Sequence, residues 1–413
     1  MAAARGAAKL RPQRRELAPA PVVKGTWTTP IQIDPFTVPL EDQLALLTAC
    51  QEAAERALGG GLFPEPSFSW TRETRVFAST EGSLVTQTTH RSDPTIAATG
   101  SRGMGGVYWS RLRGVTPSSG GYETALIPNM QEQLKAAAEE SVQLSRLPRR
   151  LMDVGRYPVV CDGFTAATIF GATVNPALEL DRALGEEIAA GPSVLSPPEE
   201  ILGVPLFSPL LNVTAGRALP THQAVQWDDE GVETHQYPVI ADGRIVDYHT
   251  SRITAPALGA WYQQQNQPMR SHGCAVAGGA NNTVQVRTPH VTIAPATRAA
   301  SVEELCKDIQ HGLLIRQVFA VSADQQFASG SLQWGLLLEI ERGKVVRRAT
   351  KTGLEFTMKA LWKSLGALGG ADTVRTVSQD LQKGQPWNPA PSETTAPALL
   401  FKEMNVITDG RQV

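Results

Sequence analysis

The chain has few of the residues that usually announce chemistry. Its 413 residues include four cysteines, Cys50, Cys161, Cys274 and Cys306, spread far apart with no C-x-x-C pair and none after Cys306. A disulfide framework is therefore not expected, and a reducing cytoplasm is the default setting. Long apolar runs are missing too. None approaches the roughly 20 residues that cross a bilayer, which argues against a membrane partner. The formal net charge is −2. That leaves no strongly basic surface to neutralise phosphates, so nucleic acid is not the expected partner. The N-terminus lacks the apolar core of a secretory signal, and residues 1–35 are expected to form a disordered leader.

What is present is an ordinary globular composition, 42% hydrophobic and 19% charged, in a chain long enough for two domains. Leu44, Leu46, Leu47, Cys50, Ala54 and Leu58 make an apolar stripe near period 3.6. They predict a helix over 38–58, stopped by Gly59-Gly60-Gly61. Alternation then takes over from Phe68 to Gly100, and Ser79-Thr80-Glu81-Gly82 supplies the turn of an antiparallel hairpin. Residues 103–109 are read as continuing that sheet. A second helix is expected over 128–147, with Arg146, Arg149 and Arg150 as its solvated, dipole-matched end. Residues 157–161, 204–214 and 236–248 read as strands. Asp242-Gly243 and Arg342-Gly343 read as hairpin turns. The fold class is α+β: an N-terminal antiparallel sheet with two long helices (36–150), then a strand-rich C-terminal domain (151–413).

The chain is organised around residues 168–185, which include Ala177-Leu178-Glu179-Leu180-Asp181-Arg182-Ala183-Leu184-Gly185. This stretch resembles the signature helix of the TldD/PmbA family, the modulator-of-gyrase metallopeptidases. Active members carry two His there, about a turn apart on one helix face, holding Zn²⁺ with a Glu between them as general base. In this register the first His position is Gly171, the Glu position is Ala172 and the second His position is Pro176. None of the three has a side chain that binds a metal or moves a proton, and Pro176 would end or kink a helix. The family's third ligand is a Cys in a Cys-Gly-Lys-x-Gly-Gln segment. The matching stretch here is 380–385, with Asp380 in the Cys position. Asp228-Asp229-Glu230-Gly231 with Ser251-Arg252, and residues 315–318 with 331–335, resemble further family segments. The likeness spans about 70–410.

The resemblance implies a curved, barrel-like C-terminal sheet and a chain with neither metal nor catalytic residue of its own. It also implies a zinc-bearing TldD-like partner in a heterodimer. This chain would be the metal-free, TldE-like subunit, inactive alone, shaping a channel for peptide or amide hydrolysis, including natural-product maturation. The channel residues so implied are Asp228, Asp229, Glu230, His222, His235 and Arg252. Two other readings stand beside it. One is a homodimeric binding or scaffold protein. The other is a hydrolase or tailoring enzyme whose chemistry has moved to Asp228, Glu230, His222 or His235. Read by itself, the acidic triplet suits either a hard cation or a solvated turn before a strand. The two His suit proton transfer or a plain polar surface. His249 is placed on a strand. His272 and Cys274 suit a nucleophile pair or two unrelated loop residues, and Cys161 reads as a small core residue.

Overall fold

The structure is a computed structural model that describes residues 16–58, 63–64, 66–93, 97–99, 111–113, 118–126, 130–187, 189–217, 221–384 and 388–408. Residues 1–15, the Gly59–Gly61 stop and the stretch 103–109 lie outside the described residues.

Alternation makes the large C-terminal sheet two-faced. Val159, Cys161, Leu313, Ile315 and Leu337 enter one core, whereas Val160, Leu314, Leu336 and Leu338 enter another. Successive side chains of a strand point to opposite faces, so one run of apolar residues serves both. The sheet runs in the order His311–Ala323, Gly155–Cys161, Leu399–Thr408, Thr352–Thr357, Ser329–Glu341, Lys344–Thr350 and Arg149–Leu151. His311–Ala323 also pairs with Ser329–Glu341, so the path bends back on itself and the sheet curls into a half-barrel. The helices Leu40–Leu58 and Met130–Ser145 cover its outer face through Cys50, Ala54, Met130 and Leu134.

A second sheet has the order Arg244–Ile245, Tyr237–Ala241, Val213–Gly216, His290–Ile293, Asn388–Ala396 and Arg375–Lys383. Asp242 (φ 46°) and Gly243 (φ 72°) form its expected tight turn, and Arg342 (φ 51°) and Gly343 (φ 77°) form that of the large sheet. The hairpin Trp70–Ala78 with Leu84–Ser92 forms as expected around residues 79–83.

Three expectations are corrected. Part of the leader is ordered: Lys24–Thr28 is a strand running parallel to Leu84–Ser92, and Ala18 is buried against Arg252. The alternation of Thr26, Trp27 and Thr28 lets this segment complete a sheet edge despite its Pro-rich flanks. Arg149 and Arg150 are not a helix end. The helix stops at Ser145, and Arg149–Leu151 joins the large sheet beside Lys344–Thr350. Within 204–214 only Val213 and Thr214 belong to a strand; Pro205 makes a single bridge to Arg244, and Pro205 and Pro209 lack the N–H groups that a longer ladder needs.

Candidate functional site

Asp162 caps the helix Gly163–Ala172, accepting from Thr165 N at 2.8 Å. The helix lies between His311–Ala323 on one side and the pair Arg375–Lys383 and Asn388–Ala396 on the other, which buries nearly all of it. It ends at Thr173 (φ −125°, ψ −70°). Pro176 gives the reason. A continuing helix would need an N–H at 176 to bond the Ala172 carbonyl, and the proline ring would strike that carbonyl instead. Gly171 and Ala172 therefore sit on the last turn, while Pro176 belongs to a separate turn, Val174–Ala177.

The ligand position at Gly171 is filled by its neighbours. A Cβ there would lie 2.8 Å from Thr394 Oγ1 and 2.9 Å from Gln379 Oε1. Asp380 is on the wrong face to contribute. Its strand buries Val377 and Lys383 and exposes Asp380, so Gln379 is the residue that meets Gly171. A register displaced by one residue turns every side chain over. Among the described residues no group of three His, Cys, Asp or Glu side chains could hold a metal ion. The donor set does not fit the zinc of active relatives.

Directly after the break the chain builds a largely buried charge cluster. Lys383 Nζ lies 2.7 Å from Glu179 Oε2, 2.6 Å from Asp181 Oδ1 and 2.9 Å from the Val286 carbonyl. Arg182 Nε reaches the same Glu179 oxygen at 2.7 Å and its Nη1 reaches Glu187 at 2.5 Å. Burial pushes the Glu179 carboxyl up, but Lys383, Arg182 and Arg287 more than reverse this and hold it at about 2. Asp181, Arg182 and Lys383 form one wall of an open groove of about 900 Å³.

The acidic triplet is neither a cation site nor a solvated turn. Asp228 is buried and accepts from the backbone N–H of Glu230, Val232 and Ala275 at 2.9, 2.9 and 3.1 Å. Burial, then Glu230, raises its carboxyl to about 7. Asp229 binds Arg75 Nη1 and Ala277 N, both at 2.7 Å. Glu230 accepts from Arg252 N at 2.7 Å. Arg252 in turn grips Glu81, at the hairpin turn, with two bonds of 2.6 and 3.0 Å. His222 is half-buried near Arg91, and desolvation followed by that charge lowers its imidazole to about 4. Asp228 and Asp229 line a cavity of about 260 Å³. His222, His235, Glu230 and Arg252 line neither that cavity nor the groove. Of the six residues expected along a channel, Asp228 and Asp229 share this cavity and Glu230 meets Arg252.

The comparisons with known proteins agree with this architecture. The PmbA/TldA metallopeptidase C-terminal domain matches residues 154–408. The chain belongs to the PmbA/TldD family. Its fold is similar to that of TldE from Thermococcus kodakarensis, at 15% identity over 97% of this chain and 81% of that one, TM-score 0.67. It is also similar to a putative modulator of DNA gyrase from Thermotoga maritima, at 17% identity over 91% and 76% of the two chains, TM-score 0.58. The corresponding Bacteroides thetaiotaomicron protein gives 15% identity over 90% and 72%, TM-score 0.63. No curated protein matches the chain in sequence.

On this PmbA/TldD scaffold, histidines that looked isolated in sequence prove to be linked. His249 is fully buried, with Tyr237 Oη at 2.7 Å on Nδ1 and Asn175 Oδ1 at 2.8 Å on Nε2. Burial lowers it to about 3, so it is neutral. Asn175 is thereby tied to the second sheet. His272 stacks on Tyr237 at 3.7 Å, meets Asp247 Oδ2 at 2.8 Å through Nε2, and meets His235 Nε2 at 2.9 Å through Nδ1. Cys274 meets the His272 carbonyl, at 3.9 Å, and not its ring, whose nitrogens face His235 and Asp247. Its thiol lies 3.4 Å from Tyr237 Oη, and burial raises it to about 11. Cys161 is a buried core residue, as expected. Asp247, Lys383 and Arg287 carried no motif of their own. Lys383 and Glu179 do fall inside the two family-like segments, which is the one signal that could have paired them.

Proposed function

We propose that this chain is the metal-free, TldE-like subunit of a two-chain peptidase. In this reading a zinc-bearing TldD-like partner hydrolyses a peptide or amide bond in a channel that this chain helps to wall. The observation that carries it is the packing at Gly171. A chain that had merely lost its ligands would keep the space they filled. Here Thr394 and Gln379 occupy it, so the fold is built without that site. The groove beside Asp181, Arg182 and Lys383 is retained at about 900 Å³, within the range of a ligand cleft. A natural-product precursor is the substrate class we assign.

The repurposed-hydrolase reading loses two of its residues, because Asp228 and Glu230 are committed to backbone N–H groups. The test is the metal content and mass of the purified chain, alone and co-expressed with a TldD-like chain. About one zinc per heterodimer and none in the isolated chain supports the proposal. Stoichiometric zinc in the isolated chain overturns it. A homodimer that ignores every TldD-like chain favours the scaffold reading.

A further inference from the structure

The hairpin turns a polar face inward. Period-two alternation puts Glu73 and Arg75 on one strand, and Arg91 on the other, on the same side of the sheet. That side is covered by loops of the C-terminal domain and encloses the cavity of about 260 Å³. A face that served only for packing would be apolar. Across the cavity stands Arg217, one residue beyond the strand Val213–Gly216 and 93% buried at 7% exposure.

Three arginines and three carboxylates line the cavity, but the pairing among them is uneven. Arg75 uses up Glu73 Oε1 at 3.1 Å and Asp229 Oδ2 at 2.7 Å. Among the described residues Arg91 pairs only with Glu73, at 3.7 Å, and its buried Nε has no partner. Asp228 is saturated by backbone N–H groups. Among the described residues nothing bonds or pairs with the Arg217 guanidinium, and its Nε is buried without a partner. A buried guanidinium is normally paired, because burying it alone forfeits its hydration. Two arginines facing one cavity with unspent donors are the arrangement that takes up an oxyanion.

We propose that this cavity binds the carboxylate of a small organic acid or of a peptide C-terminus, held by Arg217 and Arg91. The rim carboxylates of Glu73 and Asp229 disfavour a dianion and tolerate a monoanion. Trp227, Pro389 and Pro391 supply apolar walls for the body of an organic acid. The ligand would bridge the hairpin and the C-terminal domain. The inference stands apart from the subunit assignment, since it uses no residue of the degenerate helix.

The test is calorimetric and thermal-shift titration of the full chain. The probes are N-acetylglycine, an acetylated tripeptide acid, the C-terminal amide of each, and inorganic phosphate. The acids are expected to bind and raise Tm while the amides do not, and the preferred acid tells a free small molecule from a peptide end. Arg217→Gln weakens binding about tenfold or more, and Arg217→Lys, which keeps the charge but not the fork, falls between. Arg91→Gln gives a second, independent loss should the Arg217 variant fold poorly. Equal responses to acid and amide, stronger binding of phosphate, no response to any acid up to about 10 mM, or unchanged binding by folded Arg217→Gln would each overturn the proposal.

Discussion

Lys383 Nζ bonds Glu179 Oε2 at 2.7 Å across 204 residues of chain, with 1% and 2% of the two side chains exposed. The pair ties the turn after the degenerate helix to the strand Arg375–Lys383. Removing Lys383 leaves Asp181 without its ammonium partner and Glu179 with Arg182 as its bonded cation, both carboxylates still buried. Lys383→Met is therefore expected to cost about 3–5 kcal/mol, whereas replacing both partners by neutral groups costs less. Urea denaturation of Lys383→Met and of Lys383→Met/Glu179→Gln measures this. A single variant within about 1 kcal/mol of the parent would mean the cluster is not the clamp its geometry implies.

Putting the family ligands back does not rebuild a site. A side chain at Gly171 begins 2.8 Å from Thr394 Oγ1 and 2.9 Å from Gln379 Oε1. Gly171→His should cost about 1–3 kcal/mol through overpacking. The combined Gly171→His, Ala172→Glu and Pro176→His variant should still bind zinc at well under one equivalent, because the neighbours and the missing third ligand remain. Equilibrium dialysis followed by elemental analysis decides it, and tight stoichiometric zinc would contradict the packing argument.

The parts legible in the sequence were those that depend on local periodicity. The helix from Leu40, the hairpin around Ser79 and the turns at Asp242 and Arg342 follow from spacing and turn chemistry. The degenerate helix was legible because absent side chains can be read off directly. The cavity and clusters were not. Glu179 and Lys383, Arg217 and Arg91, and Asp247 and His272 meet only through sheet topology. Which residue of 380–385 faces Gly171 was not legible for a local reason: a shift of one residue is small in a sequence match and decisive on a strand. The acidic triplet failed because the turn it forms is covered by the hairpin, so burial replaced the expected solvent.

The cysteines should be inert. Cys50, Cys161, Cys274 and Cys306 are all buried, and burial raises each thiol, Cys274 to about 11 and Cys306 to about 12. The thiolate is the reactive form, so the native chain should react with Ellman's reagent at none of the four and the unfolded chain at all of them. A fast-reacting equivalent in the native chain, lost in Cys274→Ser, would revive a nucleophilic role for Cys274.

Glu393 makes one side-chain pH dependence separable from the rest. Its carboxyl is 2% exposed and takes the Gln223 N–H at 3.3 Å, and burial raises it to about 7. Its unfolded value is about 4.3. Between these values the folded state holds the proton that the unfolded state has lost, so stability falls as pH rises through the window and is level above it. Glu393→Gln has no such loss. The stability difference between the parent and this variant should move against the parent by about 2–3 kcal/mol from pH 5 to pH 8. His222, His249 and Asp228 titrate in both proteins and largely cancel in the difference. Urea midpoints at the two pH values give the answer, and a difference that stays constant would place Glu393 in contact with a compensating cation or water.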